Sequence, residues 1–266
     1  MICALLIFQS PTLPGKLGHL SPWLDMLTRP LTDVVADLEA QTHRRFIKTH
    51  TPVDCLPIDD RVTYVSVGRH PFDLVSSAAC HSGNIDFDVT FGAIAVVAGV
   101  DETIEILQGR PIPSSDPAER LQFFLDEDHP GDVSLTLRSV MDHYRSYLSS
   151  DVRVVRLHYS DLKVDLGREM RRLAAELDID VEASRWDALI EAAGFEAMKA
   201  RADELAPEPD TGIIRDRDSF FAVAGEGEWR RELTAETIAR FEDRLAEIDP
   251  SGEVARWAVD GLYSSA

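Results

Sequence analysis

The run Val62-Thr63-Tyr64-Val65-Ser66-Val67 stops at Gly68-Arg69-His70-Pro71, and a helical pattern, Asp73 to Ala79, follows it. β-branched and aromatic residues suit a strand, and the apolar content behind the loop suits a helix packed on a sheet. The short apolar run Phe46–Ile47 ends in a comparable polar cluster, Lys48-Thr49-His50. A third run, Val152–Leu157, precedes Tyr159 and another helical stretch. Strand, loop and helix repeated in that order predict an α/β fold with a parallel sheet and right-handed crossovers. In such folds the chemistry gathers at strand ends. A His at one strand end and an Arg at the next would place a base beside an anion clamp.

The chain has 266 residues and 44% hydrophobic content, enough to bury one substantial core in a single domain spanning 1–266. Its net charge of −20 argues against a general nucleic-acid surface, which needs a Lys/Arg footprint. A small anionic ligand is still compatible, because a few local cations outweigh a distant acidic surface. Cys3, Cys55 and Cys80 are widely spaced and form no CxxC pair, which fits free thiols in a reducing cytoplasm. The apolar N-terminus, Met1–Phe8, is too short to span a bilayer and has no basic flank, so it reads as a buried helix. No membrane span is expected.

Along the chain, Pro11, Pro14 and Gly15 end that first helix, and Ser21-Pro22 predicts a short helix over Trp23–Thr28. Further helices are expected over Leu31–Thr42, Asp73–Ala79, Ser134–Leu148, Leu166–Leu177, Ser184–Leu205 and Thr234–Ile248, with strands at Arg45–Lys48, Val62–Val67 and Val152–Leu157. Residues 84–130, punctuated by Gly109, Pro111, Pro113, Pro117 and Pro130, read as an irregular insertion or lid.

Several residues can carry chemistry. A neutral His50 at a strand end can accept a proton from a hydroxyl, or it can be a loop histidine satisfied by a carbonyl. Arg69 and Ser77 bracket a strand-to-helix turn and can cradle a phosphate, whereas the alternative pairs Arg69 with Asp73 four residues on. Tyr159 can stack on a base or close the core. Gly225-Glu226-Gly227-Glu228-Trp229 is a weak phosphate signal without a preceding strand. The histidines form no HExxH pattern, so no metal site is expected, and no GxSxG, Walker A or Rossmann fingerprint is present.

Taken together these segments resemble the cytosolic-type sulfotransferases, which transfer a sulfuryl group from 3′-phosphoadenosine 5′-phosphosulfate (PAPS) to a hydroxyl or amine. Phe46-Ile47-Lys48-Thr49-His50-Thr51-Pro52 is similar to the family's strand and loop with the catalytic base, so the resemblance makes His50 the base and Lys48 its cationic helper. Val67-Gly68-Arg69-His70-Pro71-Phe72-Asp73 through Ser77 resembles the 3′-phosphate motif and implies that Arg69 and Ser77 hold that phosphate. Tyr159, in Tyr-Ser-Asp-Leu-Lys, matches an adenine-contacting tyrosine, and Phe195, with Met198 in Gly-Phe-Glu-Ala-Met-Lys, resembles a later segment beside the adenine. The resemblance implies a three-layer α/β architecture, with a parallel sheet flanked by helices as in P-loop NTPases. It further implies a cytoplasmic enzyme with PAPS as donor, no metal and a small, apolar acceptor. Trp23, Phe87 and Phe91 would help line the acceptor pocket.

Departures from the family pattern accompany the match. The family's first strand and Lys-Ser-Gly-Thr-Thr-Trp-like 5′-phosphosulfate loop have no counterpart, because Met1–Phe8 matches the helix that follows that loop. The expectation is therefore that the true start lies upstream and that Met1 is internal. The Arg-Lys-Gly that clamps the 3′-phosphate is replaced by Ala222-Val223-Ala224, and the Thr/Ser before the adenine-segment Phe by Ala193-Gly194. Lost phosphate donors lower catalysis and affinity. An alternative reading is thus a degenerate, non-catalytic member that keeps the fold as a binding module. An unrelated hydrolase or kinase-like protein using His50 is disfavoured by the missing nucleophile elbow and Walker lysine.

Overall fold

The computed structural model describes residues 1–108, 114, 116–128, 135–207, 210–221, 227 and 229–262. The described chain divides into two compact units, each built from three separate segments. The first comprises Met1–Thr51, Cys80–Leu107 and Leu166–Ala224; the second comprises Pro52–Ala79, Gln108–Asp165 and Gly225–Ala266.

The second unit holds the sheet. Strand β1 (Tyr64–Gly68) pairs in parallel with β2 (Val154–His158), in a register running from Tyr64 opposite Val154 to Gly68 opposite His158. Both strands lie within two residues of their expected positions. At the end of β1 the His70 ring nitrogen Nδ1 accepts the N–H of Phe72 (3.2 Å), which starts the helix Pro71–Gly83. At the end of β2, His158 Nδ1 accepts from the N–H of Ser160 (3.3 Å) and starts the helix Tyr159–Val164. Each histidine satisfies an orphan helix donor in the manner of an N-cap.

The helix Leu137–Leu148 opens with a reciprocal Thr136–Ser139 capping box and buries one stripe, Leu137, Val140, Met141 and Tyr144. The C-terminal helix Glu253–Asp260 brings Trp257 edge-on to Tyr144, with centroids 5.0 Å apart. Phe72, Phe124 and Phe241 pack into the same core, with Leu125, Leu245, Ile248 and Val254.

In the first unit, the helix Ile2–Phe8 buries Ala4, Leu5 and Leu6 completely and packs on Trp186–Ala193, as the apolar N-terminus predicts. Leu166–Glu176 packs on the same helix through Met170 and Leu173. Its Glu169, fully buried, is satisfied by Arg168 and Arg172 (Nη2–Oε2 2.7 Å), as a buried charge requires.

Three expectations are corrected. Residues 84–130 are not irregular where they are described: they form the helices Phe87–Ala98, Val100–Gln108 and Pro117–Asp126. Asp86 caps the first by accepting from Val89 N–H (3.1 Å), and Asp116 caps the third with Pro117 in its first turn (Ala118 N–H, 2.8 Å). Pro117 therefore begins a helix rather than breaking one. Gly109, Pro111, Pro113 and Pro130 lie outside the described residues. The expected strand Arg45–Lys48 reduces to one parallel bridge, Trp23 to Lys48. Its apolar content, Phe46 and Ile47, is too short for a longer ladder, and Ile47 is exposed. The expected helix at Trp23–Thr28 gives way to turns because Leu24 N–H donates to Lys48 O (3.0 Å) and Pro22 O accepts from Lys48 N–H (3.2 Å).

Gly68 has no room for a side chain, since a Cβ there would lie 2.3 Å from the Trp257 ring. Gly68→Ala is expected to destabilise the protein by about 1–3 kcal/mol through overpacking. A urea denaturation midpoint unchanged from wild type would refute this reading of the contact.

Candidate functional site

Lys48, which makes the bridge to Trp23, and His50 lie in the first unit, and Asp25 fixes their loop. Asp25 Oδ2 accepts from the N–H of His50 (2.9 Å), the hydroxyl of Thr51 (2.9 Å) and the hydroxyl of Thr49 (3.1 Å). Burial alone would raise this carboxyl, but these donors hold it below the ordinary carboxylate range, so it remains an anion. Trp23 supplies the wall. The Lys48 ammonium lies 3.6 Å from its ring centroid, and the His50 ring meets it edge-on at 4.5 Å. A cation over an aromatic face and an exposed imidazole are thus presented side by side.

Arg69 lies one residue beyond β1, in the second unit. Its backbone is held from both directions by one phenol: Arg69 N–H donates to Tyr144 Oη (2.9 Å), and that hydroxyl donates to Arg69 O (2.9 Å). Burial pushes the Tyr144 phenol up to about 12, against the pull of the Arg69 backbone donor and charge, so it stays protonated and can do both. The Arg69 guanidinium carbon lies 4.5 Å from the centroid of Tyr159, the first residue of the helix after β2. Ser77, half-buried, is on the helix that Arg69 precedes. An arginine fork, an aromatic plate and a helix N-terminus from two adjacent parallel strands make a surface suited to a phosphate and a flat base.

Phe195 opens the helix Phe195–Lys199 in the first unit, half-buried and 6.5 Å edge-on from Phe221. Of the residues singled out in the sequence, the first unit brings together Lys48 and His50, and the second Arg69 and Tyr159. Phe195 belongs with the former set by unit, and Ser77 with the latter. Phe87 and Phe91 stack on one another at 5.7 Å. Ala222-Val223-Ala224 lies outside the described residues, as do Gly225, Glu226 and Glu228. Gly227 is described: at φ +71° its N–H donates to the buried Asp73 Oδ1 (2.8 Å). Among the described residues no cluster of three or more His, Cys, Asp or Glu is placed to hold a metal, and no helix is long and apolar enough to cross a membrane.

A family model described as "Sulfotransferase domain" matches residues 3–248. The chain belongs to the sulfotransferase family. It is 34% identical over 280 residues to a glycolipid sulfotransferase of Mycobacterium bovis, an alignment covering 98% of this chain and 83% of that protein. A glycolipid sulfotransferase of Mycobacterium tuberculosis matches at 34% over 274 residues, again 98% and 83%. Sulfotransferase 1E1 of Rattus norvegicus is 24% identical over 84% of this chain and 68% of its own length. Among solved structures, mouse sulfotransferase SULT7A1 complexed with PAP superposes with a TM-score of 0.61 at 20% identity, covering 83% of this chain and 72% of that one. Retinol dehydratase, in complex with androsterone and inactive cofactor PAP, gives 0.57 at 20%, covering 83% and 57%. The architecture is the α/β sulfotransferase fold.

Two supports of the candidate site escape motif reading. Asp25 lies 25 residues before His50, and nothing in its neighbourhood distinguishes it from a surface acid. Tyr144 was legible as part of a buried stripe, and its one signal was a phenol on that stripe, which needs a hydrogen-bond partner when buried.

Replacing Asp25 with Ala removes the acceptor of the His50 N–H. Hydrogen exchange at that amide should quicken roughly five- to tenfold, the equivalent of about 1–1.5 kcal/mol of net hydrogen bonding; an unchanged rate would contradict the clamp.

His70 provides a test in pH. It is buried and stacked on Trp229 at 4.7 Å, and burial, with the charges of Arg230 and His158, lowers its pKa to about 3. The unfolded chain, with a histidine pKa near 6.5, binds the extra proton first, so stability is full above about pH 6.5 and falls as pH drops toward 3. Between pH 7 and pH 5 the wild type should lose about 2 kcal/mol more than His70→Asn, measured by chemical denaturation. Parallel pH slopes would count against a neutral His70.

Proposed function

We propose that this sulfotransferase transfers a sulfuryl group from PAPS to a hydroxyl of an amphipathic acceptor by in-line displacement, with His50 as general base. The observation that carries the reading is the Asp25-clamped loop, which presents His50 and Lys48 together against Trp23. His50 takes the acceptor proton, and the Lys48 ammonium offsets negative charge as it develops on the transferring group. Asp25 holds the loop and takes no part in proton transfer.

Arg69 and Ser77 would bind the donor's 3′-phosphate, and Tyr159 its adenine. The fit rests on Arg69 lying against Tyr159 at the start of a thirteen-residue helix, where anions and flat aromatic groups are both accommodated. PAP in the solved relatives supports a donor of this type. The bound donor supplies the sulfuryl group and a bisphosphate leaving group. The glycolipid acceptors in the names of the mycobacterial relatives support an acceptor with a sugar and an apolar part, rather than a purely apolar one.

Two substitutions separate the roles. His50→Ala should lower kcat on the order of a hundredfold to ten-thousandfold while calorimetric affinity for adenosine 3′,5′-bisphosphate stays within about twofold. Arg69→Ala should weaken that affinity roughly ten- to hundredfold. A His50→Ala enzyme with wild-type kcat would remove His50 as the base, and an unbound bisphosphate in the wild type would remove PAPS as the donor.

A further inference from the structure

In the first unit the run Val89–Val100 carries no charged residue, with Asp88 before it and Asp101 after it. Most of it lies in the helix Phe87–Ala98, which buries Thr90 and Ile94 on one face. Val89, Gly92 and Val96, spaced i, i+3 and i+7, share the opposite face and are exposed, Val96 at 86%. A helix apolar on both faces is ordinarily buried all round. Gly99 turns the chain at φ +96°, and the next helix, Val100–Gln108, continues the pattern. Its Val100 and Ile104, at i and i+4, are 64% and 44% exposed, while Thr103 is buried. Both backbone groups of Gly99 are satisfied internally. Its N–H donates to Ala95 O (3.1 Å), and its carbonyl accepts from the N–H (3.1 Å) and the hydroxyl (2.7 Å) of Thr103. The Thr90 hydroxyl likewise donates to Asp86 O (2.7 Å).

From these features we infer that the turn at Gly99 docks on an uncharged lipid surface, entering it shallowly with Val96, Val100 and Ile104. Hydrocarbon accepts backbone only where its polar groups are already paired, and Gly99 meets that condition. A protein partner would need a hydrogen-bonding rim around the apolar centre, and here both threonine hydroxyls are turned to the chain's own carbonyls. A second copy of this chain would bring Asp88, Asp101, Glu102 and Glu105 against the same acids, on a chain of net charge −20. Those acids also disfavour an anionic bilayer, and Asp101 and Glu102 limit the depth because they must stay in water. The docking rests on the proposed transfer only for its purpose: an acceptor with an apolar part sits in such a surface, and a docked enzyme meets it there.

The test is co-sedimentation of the full chain with phosphatidylcholine vesicles, with and without added phosphatidylglycerol. The wild type should bind the phosphatidylcholine vesicles, and phosphatidylglycerol should weaken that binding at low salt. Val96→Asp should lower the partition coefficient on the order of tenfold, and Val96→Leu, which adds one methylene, should raise it roughly fourfold. The urea midpoint should be unchanged in both variants, because the Val96 side chain stands in solvent. A wild type that does not bind, equal binding by Val96→Asp, or binding that rises with phosphatidylglycerol overturns the docking. Dimerisation that Val96→Asp abolishes, without vesicle binding, overturns it in favour of a second copy. Vesicle binding that depends on Val96 without any transfer from PAPS supports the docking while removing the transferase reading. Transfer to a water-soluble acceptor without vesicle binding removes the docking and leaves the transferase reading standing.

Discussion

One phenol fixes the geometry at the end of β1. Tyr144 is buried, and its hydroxyl both accepts from and donates to the backbone of Arg69. It can do so because burial keeps it protonated well above neutral pH. With N–H and C=O held together, the Arg69 backbone has little freedom, and its guanidinium is directed over Tyr159. The ring that supports Tyr144, Trp257, also occupies the space where a side chain at Gly68 would be. Strand end, helix start and cation thus depend on two aromatic residues from elements remote in sequence. The cost is a buried indole N–H on Trp257 without a partner among the described residues.

The first unit solves a comparable problem with charge. A loop carrying a polar Lys-Thr-His cluster has few apolar contacts to hold it, and an anion at Asp25 replaces them with three donors. The same loop is tied to Trp23 by a backbone bridge, a cation–ring contact and an edge-on imidazole. Trp23 also lines the adjacent cavity.

Much of this was legible in the chain. The Val-rich runs at 62–67 and 152–157 became paired parallel strands, because β-branched residues flanked by turn chemistry have few other options. The places of Arg69 and Tyr159 just beyond those strands follow from them. Less legible was the stretch from 84 to 130, where Pro117 looked like a break but serves as a helix start under Asp116. Proline punctuates in both ways, and only its cap distinguishes them. The Ser21-Pro22 signal failed for a different reason. Local capping propensity was outweighed by backbone hydrogen bonds to Lys48, more than twenty residues away.

The sequence alone determined the strand–helix alternation and the buried N-terminal helix, because these depend on periodicity, and it carried the family resemblance in which Lys48, His50, Arg69 and Tyr159 stand. Tertiary structure decided which groups hold them. Asp25, Tyr144 and Trp257 act through contacts across 25, 75 and nearly two hundred residues, and no local pattern encodes such a pairing. The mixed polar and apolar walls of the Trp23 cavity are likewise visible only once the helix Leu31–Ala40 is folded beside it. A hydrogen-bond partner at long range is chosen by packing, since many side chains could supply the same atom and only the folded chain brings one of them within reach.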